Sequence, residues 1–279
     1  MSSYRDRKRS SLDRQVWTTV VILLAVLGGA TAYYYGWIPG RTPPAERSAP
    51  VPDVAAAPET ETPAAAQSQA TPSETPLEPL PVLADSDPAV RKTLAGLVGD
   101  TSLGRYLAPD DLIGRFVTTI DNLPESDVSL KIRVLQPLPG TVLTEGNPGD
   151  GRPMLLSEAS FARYDALVQM LDAASADQLD ATYRRYYPLL QEAYVKLGYP
   201  DARFHDRMLA VIDHLLKTPR ISGPIEVVRP KVLYELADPR LQRLSAGQKV
   251  LIRMGPRHKS IVEKKLRELR ERLGRGVPG

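Results

Sequence analysis

SADQLDATYRRYYPLLQEAYVKL, residues 175–197, is the most informative run in this chain. Ser175 followed three positions later by Gln178 is the signature of a capping box, in which each side chain satisfies a backbone N–H that the helix start leaves open. Beyond it, Leu179, Tyr183, Tyr186, Tyr187, Leu190, Tyr194 and Leu197 fall on one arc at 3.6-residue spacing. Pro188 interrupts the hydrogen-bond ladder, yet the apolar arc keeps its phase on both sides. The pattern predicts one kinked helix rather than two.

The same period continues outward in both directions. Toward the C-terminus, Phe204, Met208, Val211, Ile212 and Leu215 form a second stripe, closed by Pro219. Residues 223–256 read as short helices alternating with turns, with starts at Asp238-Pro239 and at Ser245, where Gln248 completes another capping box. A last helix from about Arg257 to Leu273 shows Val262, Leu266, Leu269 and Leu273 on one side. Toward the N-terminus, Ser157 opens a helix. From Pro124 to Pro153, five prolines and four glycines read as loop, with one short extended piece around Leu130–Leu135. Leu112, Phe116 and Ile120 mark a helix starting near Pro109-Asp110. Asp87-Pro88 opens the first, with Asp as N-cap and Pro at the first helical position. No convincing strand pairs emerge, so the expected class is all-α, or nearly so.

Ahead of this domain the composition changes twice. Val16 to Ile38 contains no charged residue and is long enough to cross a hydrocarbon core of about 30 Å. Trp17 and Trp37, the chain's two tryptophans, bracket it as interface anchors, with Tyr33, Tyr34 and Tyr35 on the far side. Arg5, Arg7, Lys8, Arg9 and Arg14 precede the span, which predicts a cytoplasmic N-terminus and an exported C-terminal domain. The competing reading is a cleaved signal peptide, with Ala30-Thr31-Ala32 as its processing site. Eleven of the 26 prolines fall between Pro39 and Pro81, and no aromatic residue occurs from Ile38 to Arg105. Such a stretch has little to bury and is expected to be a disordered, semi-flexible tether, about 35–40 Å in reach as a coil. The expected organisation is therefore a basic tail (1–15), a transmembrane helix (16–38), a Pro/Ala-rich tether (39–81), a compact multi-helix domain (82–273) and a flexible end (274–279).

Several chemistries find no support in the residues. The chain has no cysteine, which removes disulfides, thiolate catalysis and Cys-based metal sites. A net charge of +3 does not suggest nucleic acid as a partner. No nucleophile motif, phosphate loop or zinc signature occurs, so no cofactor is expected. Of the three histidines, His205 falls inside the apolar arc of its helix and His214 on the other flank near Arg207. Asp206 and Asp213 share a face of that helix opposite the core. The tyrosine row is either core or a stacking surface, and with Arg184 and Arg185 beside it, Tyr183 and Tyr187 are candidate interaction residues. The final helix carries eight Arg/Lys against three Glu from Arg257 to Arg275. It is either a solvated helix laced with i,i+4 ion pairs or a cationic surface for anionic lipid or an acidic partner, with Lys264, Arg267 and Arg270 as candidates.

Four blocks carry a resemblance: RFVTTIDNLP (115–124), YPLLQEAYVKLGYPD (187–201), DHLLKTP (213–219) and GPIEVVRPKVLYELADPRLQRLSAGQKVLIRMGP (223–256). With the anchor and tether they resemble the bacterial membrane-anchored proteins of domain-of-unknown-function family 3014. The resemblance implies a Gram-negative bacterium and a periplasmic domain on the inner membrane; it implies no activity or catalytic residue.

The layout points to a non-enzymatic envelope protein, held in the lipid bilayer by residues 16–38, whose domain binds an envelope protein or peptidoglycan. Two other readings remain open. One is a wall hydrolase using carboxylates such as Asp121, Glu192 or Asp213 in a cleft closed by the 124–153 loop. The other is a structural membrane module that oligomerises through its span or its Tyr-rich helix.

Overall fold

A computed structural model describes residues 79–98, 106–146, 152–231 and 233–276. The predicted tail and span, with Trp17 and Trp37, and all of the tether before residue 79 lie outside the described residues. Among those described, no helix is long and apolar enough to cross a membrane.

The predicted helices form, and their apolar stripes meet in one core. In chain order they are α1 (Asp87–Val98), α2 (Leu112–Asn122), α3 (Glu158–Phe161), α4 (Asp165–Ala173), α5 (Ala176–Lys196), α6 (Phe204–Leu216), α7 (Pro239–Gln242), α8 (Ala246–Arg253) and α9 (Gly255–Leu273). The 21-residue α5 runs unbroken through Pro188, started by the reciprocal Ser175–Gln178 box. A second such box, Ser245–Gln248, starts α8.

α9 packs against α3, α4, α5, α6 and α8, and α2 against α1, α5 and α6. From α9, Val262, Leu266, Leu269 and Leu273 are buried, as are Phe204, Met208, Val211, Ile212 and Leu215 from α6. Burying an aliphatic or aromatic side chain of this size contributes about 1.5–3 kcal/mol. These stripes are therefore the main reason the helices stay together.

The start of α2 departs from the expected capping. Asp111, at its own N-cap position, is left-handed (φ 50°) and makes no side-chain cap bond. Asp87, expected to cap α1, instead accepts a hydrogen bond from the Leu112 N–H at 2.8 Å. One helix thus supplies the cap of the next.

Three further expectations are corrected. The domain is predominantly helical, but it also carries a four-stranded antiparallel sheet of order β1-β2-β3-β4. Its strands are β1 (Thr144–Glu145), β2 (Met154–Leu156), β3 (Glu226–Val228) and β4 (Glu235–Leu236). Met154 pairs with Val227, and Val227 with Leu236, so the inward residues build a second apolar cluster with Ile225 and Ile252. The extended piece predicted at Leu130–Leu135 is a 3-10 turn, Leu130–Ile132, followed by an isolated bridge from Leu135 to Leu107. The helix expected from Ser157 is broken by a 3-10 turn, Ala162–Tyr164, which separates α3 from α4.

Candidate functional site

Where the sheet's apolar cluster meets the α8–α9 junction, the surface opens into a cleft of about 310 Å³. One wall is the segment leading into β3, with Arg220, Ile221, Gly223 and Ile225; Ile252 from α8 forms the floor. The opposite wall is α9, which presents Gly255 and Pro256, then Lys259 and Ser260, then Glu263 and Arg267. Steps of four along a helix keep side chains on one face, which explains why this single element supplies so much of the lining. Gly255 sets the angle. Its φ of +84° turns the chain between α8 and α9, a conformation that costs other residues but not glycine.

The electrostatics of the cleft are lopsided. Lys259 and Glu263 are only 7% and 8% exposed, and their charged atoms are 2.6 Å apart. Arg267 reaches the other Glu263 oxygen at 3.6 Å. A pair so withdrawn from water costs desolvation that its mutual attraction must offset, so it acts as a fixed internal group. Arg220 is exposed, and among the described residues neither its guanidinium nor the Ser260 hydroxyl has a hydrogen-bonding or ionic partner. The cleft thus gathers three cations, Arg220, Lys259 and Arg267, and one buried carboxylate over an aliphatic floor.

Of the residues singled out from the sequence, Arg267 alone lines this cleft. Tyr183 is 1% exposed and lies in the core, not on a surface: its hydroxyl meets His205 Nδ1 at 3.3 Å. Burial pushes its phenol far above the ordinary range. Tyr187, half-buried, stands edge-on to His205, with ring centres 6.3 Å apart. Tyr186, buried in the same row, donates to the Ala89 carbonyl of α1. The row is thus mainly a set of ties between helices. Arg184 pairs with Asp180 at 2.8 Å and donates to the Gly276 carbonyl, while Arg185 lies over the Tyr186 ring. Lys264 is exposed on α9. Arg270 holds Asp213 with two hydrogen bonds of 2.8 and 3.0 Å. With Arg272 bound to Asp177 and Lys265 to the Ala174 carbonyl, cations of α9 join it to neighbouring elements.

The carboxylates considered for hydrolysis do not converge on this cleft or on the apolar crevice between α1, α2 and α5. Asp121 is held by Arg207 at 2.8 Å and by the Tyr199 hydroxyl at 3.2 Å. Glu192 pairs with Lys196 and Asp213 with Arg270. Asp206 is exposed.

The histidines are built into the packing. His205 and His214 are both held below the ordinary imidazole range, chiefly by burial, with Arg203 adding at the first and Lys217 at the second. His214 Nε2 lies 2.9 Å from the Ser245 hydroxyl. His258 sits between the Met254 carbonyl and the Asp165 carboxylate, at 2.9 and 2.7 Å. Among the described residues no three metal-ligating side chains come together.

Sequence reasoning missed Arg220, Lys259, Ser260 and Glu263 as one site. Lys259–Glu263–Arg267 is visible as two successive i,i+4 steps, but nothing local connects it to Arg220, 39 positions or more away.

A predominantly helical domain with a small antiparallel sheet, bearing a cationic cleft beside that sheet, is the class that fold and site define. The family model of the proteins of unknown function DUF3014 matches residues 112–270, more than half of the chain, which belongs to that family. The matched region spans every residue of the cleft. No curated protein and no solved structure gives a match.

Proposed function

We propose that the chain is a single-pass, inner-membrane-anchored protein of a bacterial envelope whose helical domain is a non-enzymatic binding module in the periplasm. Its partner is another envelope protein or peptidoglycan. The reading is carried by the cleft, whose free guanidinium at Arg220, exposed Arg267 and aliphatic floor suit recognition. The charge-free run from Val16 to Ile38, with its basic residues on the N-terminal side, supports the anchor and its orientation.

Two measurements test this. A reporter active only in the periplasm, fused at the C-terminus, should be active, and alkaline washing should leave the intact protein in the membrane. Crosslinking in intact envelopes should then recover one reproducible partner, or the domain should co-sediment with purified wall. A cytosolic reporter signal would remove the envelope reading; correct topology with neither partner nor wall would remove the binding role.

A further inference from the structure

The wall of the cleft opposite α9 has an unusual backbone. Among the described residues, the N–H and C=O groups of Arg220, Ile221, Ser222 and Gly223 make no hydrogen bond. This segment leads through a bend at Gly223 into β3, whose own backbone is already paired with β2 and β4. Unpaired backbone N–H and C=O groups beside a concave surface are available to exchange hydrogen bonds with the amide groups of a ligand. Gly223, with φ +110° and nothing within 4 Å of where a Cβ would stand, leaves that approach open.

The side chains define the ligand's other properties. Ile221, Ile225, Ile252 and Pro256 offer an aliphatic floor that only small apolar groups can cover in about 310 Å³. Glu263 already takes up Lys259 and part of Arg267, and it repels a second dense negative charge at short range. The charge left over sits at Arg220, with the Ser260 hydroxyl across the cleft as a second donor. A planar guanidinium matches a carboxylate with two parallel hydrogen bonds.

We propose that the cleft binds the carboxylate end of a short extended peptide with small aliphatic side chains, a reading that rests on the binding role above and specifies its ligand class. The peptide backbone lies along Arg220–Gly223, its terminal carboxylate is held by Arg220 and Ser260, and its side chains cover the three isoleucines.

The test uses the full chain in detergent micelles, with acetyl-trialanine as the probe. Binding is followed through the methyl NMR signals of Ile221, Ile225 and Ile252. The free acid should shift these methyls saturably and leave those of Ile113 and Ile120 in place. The C-terminal amide should bind about tenfold more weakly or worse, because a charge-assisted hydrogen bond is lost. Arg220→Ala and Ser260→Val should each weaken the free acid, while Arg275→Ala should not. Equal binding of acid and amide, or competition by inorganic phosphate as strong as by the peptide, would overturn the assignment. A photoreactive side chain at Ser260 that captures the envelope partner supports it. Capture only from positions outside the cleft overturns it while leaving the binding role intact.

Discussion

Replacing Gly255 by alanine should be among the most damaging single-methyl changes in this domain, because two independent penalties fall on one atom. The first is backbone strain. Gly255 has φ +84°, and the left-handed region costs an L-residue about 1–2 kcal/mol. The second is collision. A Cβ there would stand 2.7, 2.8 and 3.0 Å from three atoms of the Phe161 ring, which is packed against the sheet's apolar cluster. Forcing an extra methyl into a packed interior costs about 1–3 kcal/mol. Together the loss is about 2–5 kcal/mol, which for a domain of this size lowers Tm by about 4–20 °C. Two other glycines separate the terms. Gly223 has the positive φ, +110°, but open space, so Gly223→Ala should show the strain alone. Gly247 has ordinary φ, but a Cβ would meet Leu215 Cδ2 at 2.6 Å, so Gly247→Ala should show the crowding alone. Thermal unfolding of the full chain in detergent, followed by far-UV circular dichroism, ranks the three. The reasoning is refuted if Gly255→Ala costs no more than the milder of the other two.

Stability should fall as acid is added. His205 and His214 are held below their ordinary 6.5, so between that value and the native one the unfolded chain binds protons that the folded chain refuses. The contribution is complete above about pH 6.5 and is lost below it; a urea midpoint at pH 5.5 equal to or above that at pH 7.5 contradicts this. Lys259→Met should destabilise by about 3–5 kcal/mol by stranding the buried Glu263, and adding Glu263→Met should restore most of the loss. A double-mutant cycle in denaturant reads the coupling, and additive losses would refute it. Ser175→Ala should cost about 1 kcal/mol through its capping box. Ser245→Ala should cost more in the same titration, since that hydroxyl also meets His214.

Helices were legible from sequence wherever a stripe repeated over three or more turns, as in α5, α6 and α9. That period reports which face the water must not reach, and it does so locally. Strands of two or three residues carry too few positions to alternate, and their partners lie far apart, since Leu155 pairs with Glu226. The Asp87 cap failed for a related reason: an N-cap signal at a helix start is local, but here the carboxylate serves a helix 25 positions on. Charge on α9 was read as a surface because its i,i+4 pairs are visible along the chain. The bonds that decide its role, Arg270 to Asp213 and Arg272 to Asp177, cross 57 and 95 positions. The cleft was half legible for the same reason, with α9 contributing a readable row and Arg220 arriving by tertiary folding alone.

α9 has one more implication, for the order of events during synthesis. Chains emerge from the ribosome N-terminus first, and folding units close when their last component arrives. Here the helix touching five others spans residues 255–273, so α4, α5 and α6 must wait for it with apolar faces open. A nascent chain in that condition keeps apolar surface exposed until α9 is available, and is correspondingly prone to aggregation in that interval.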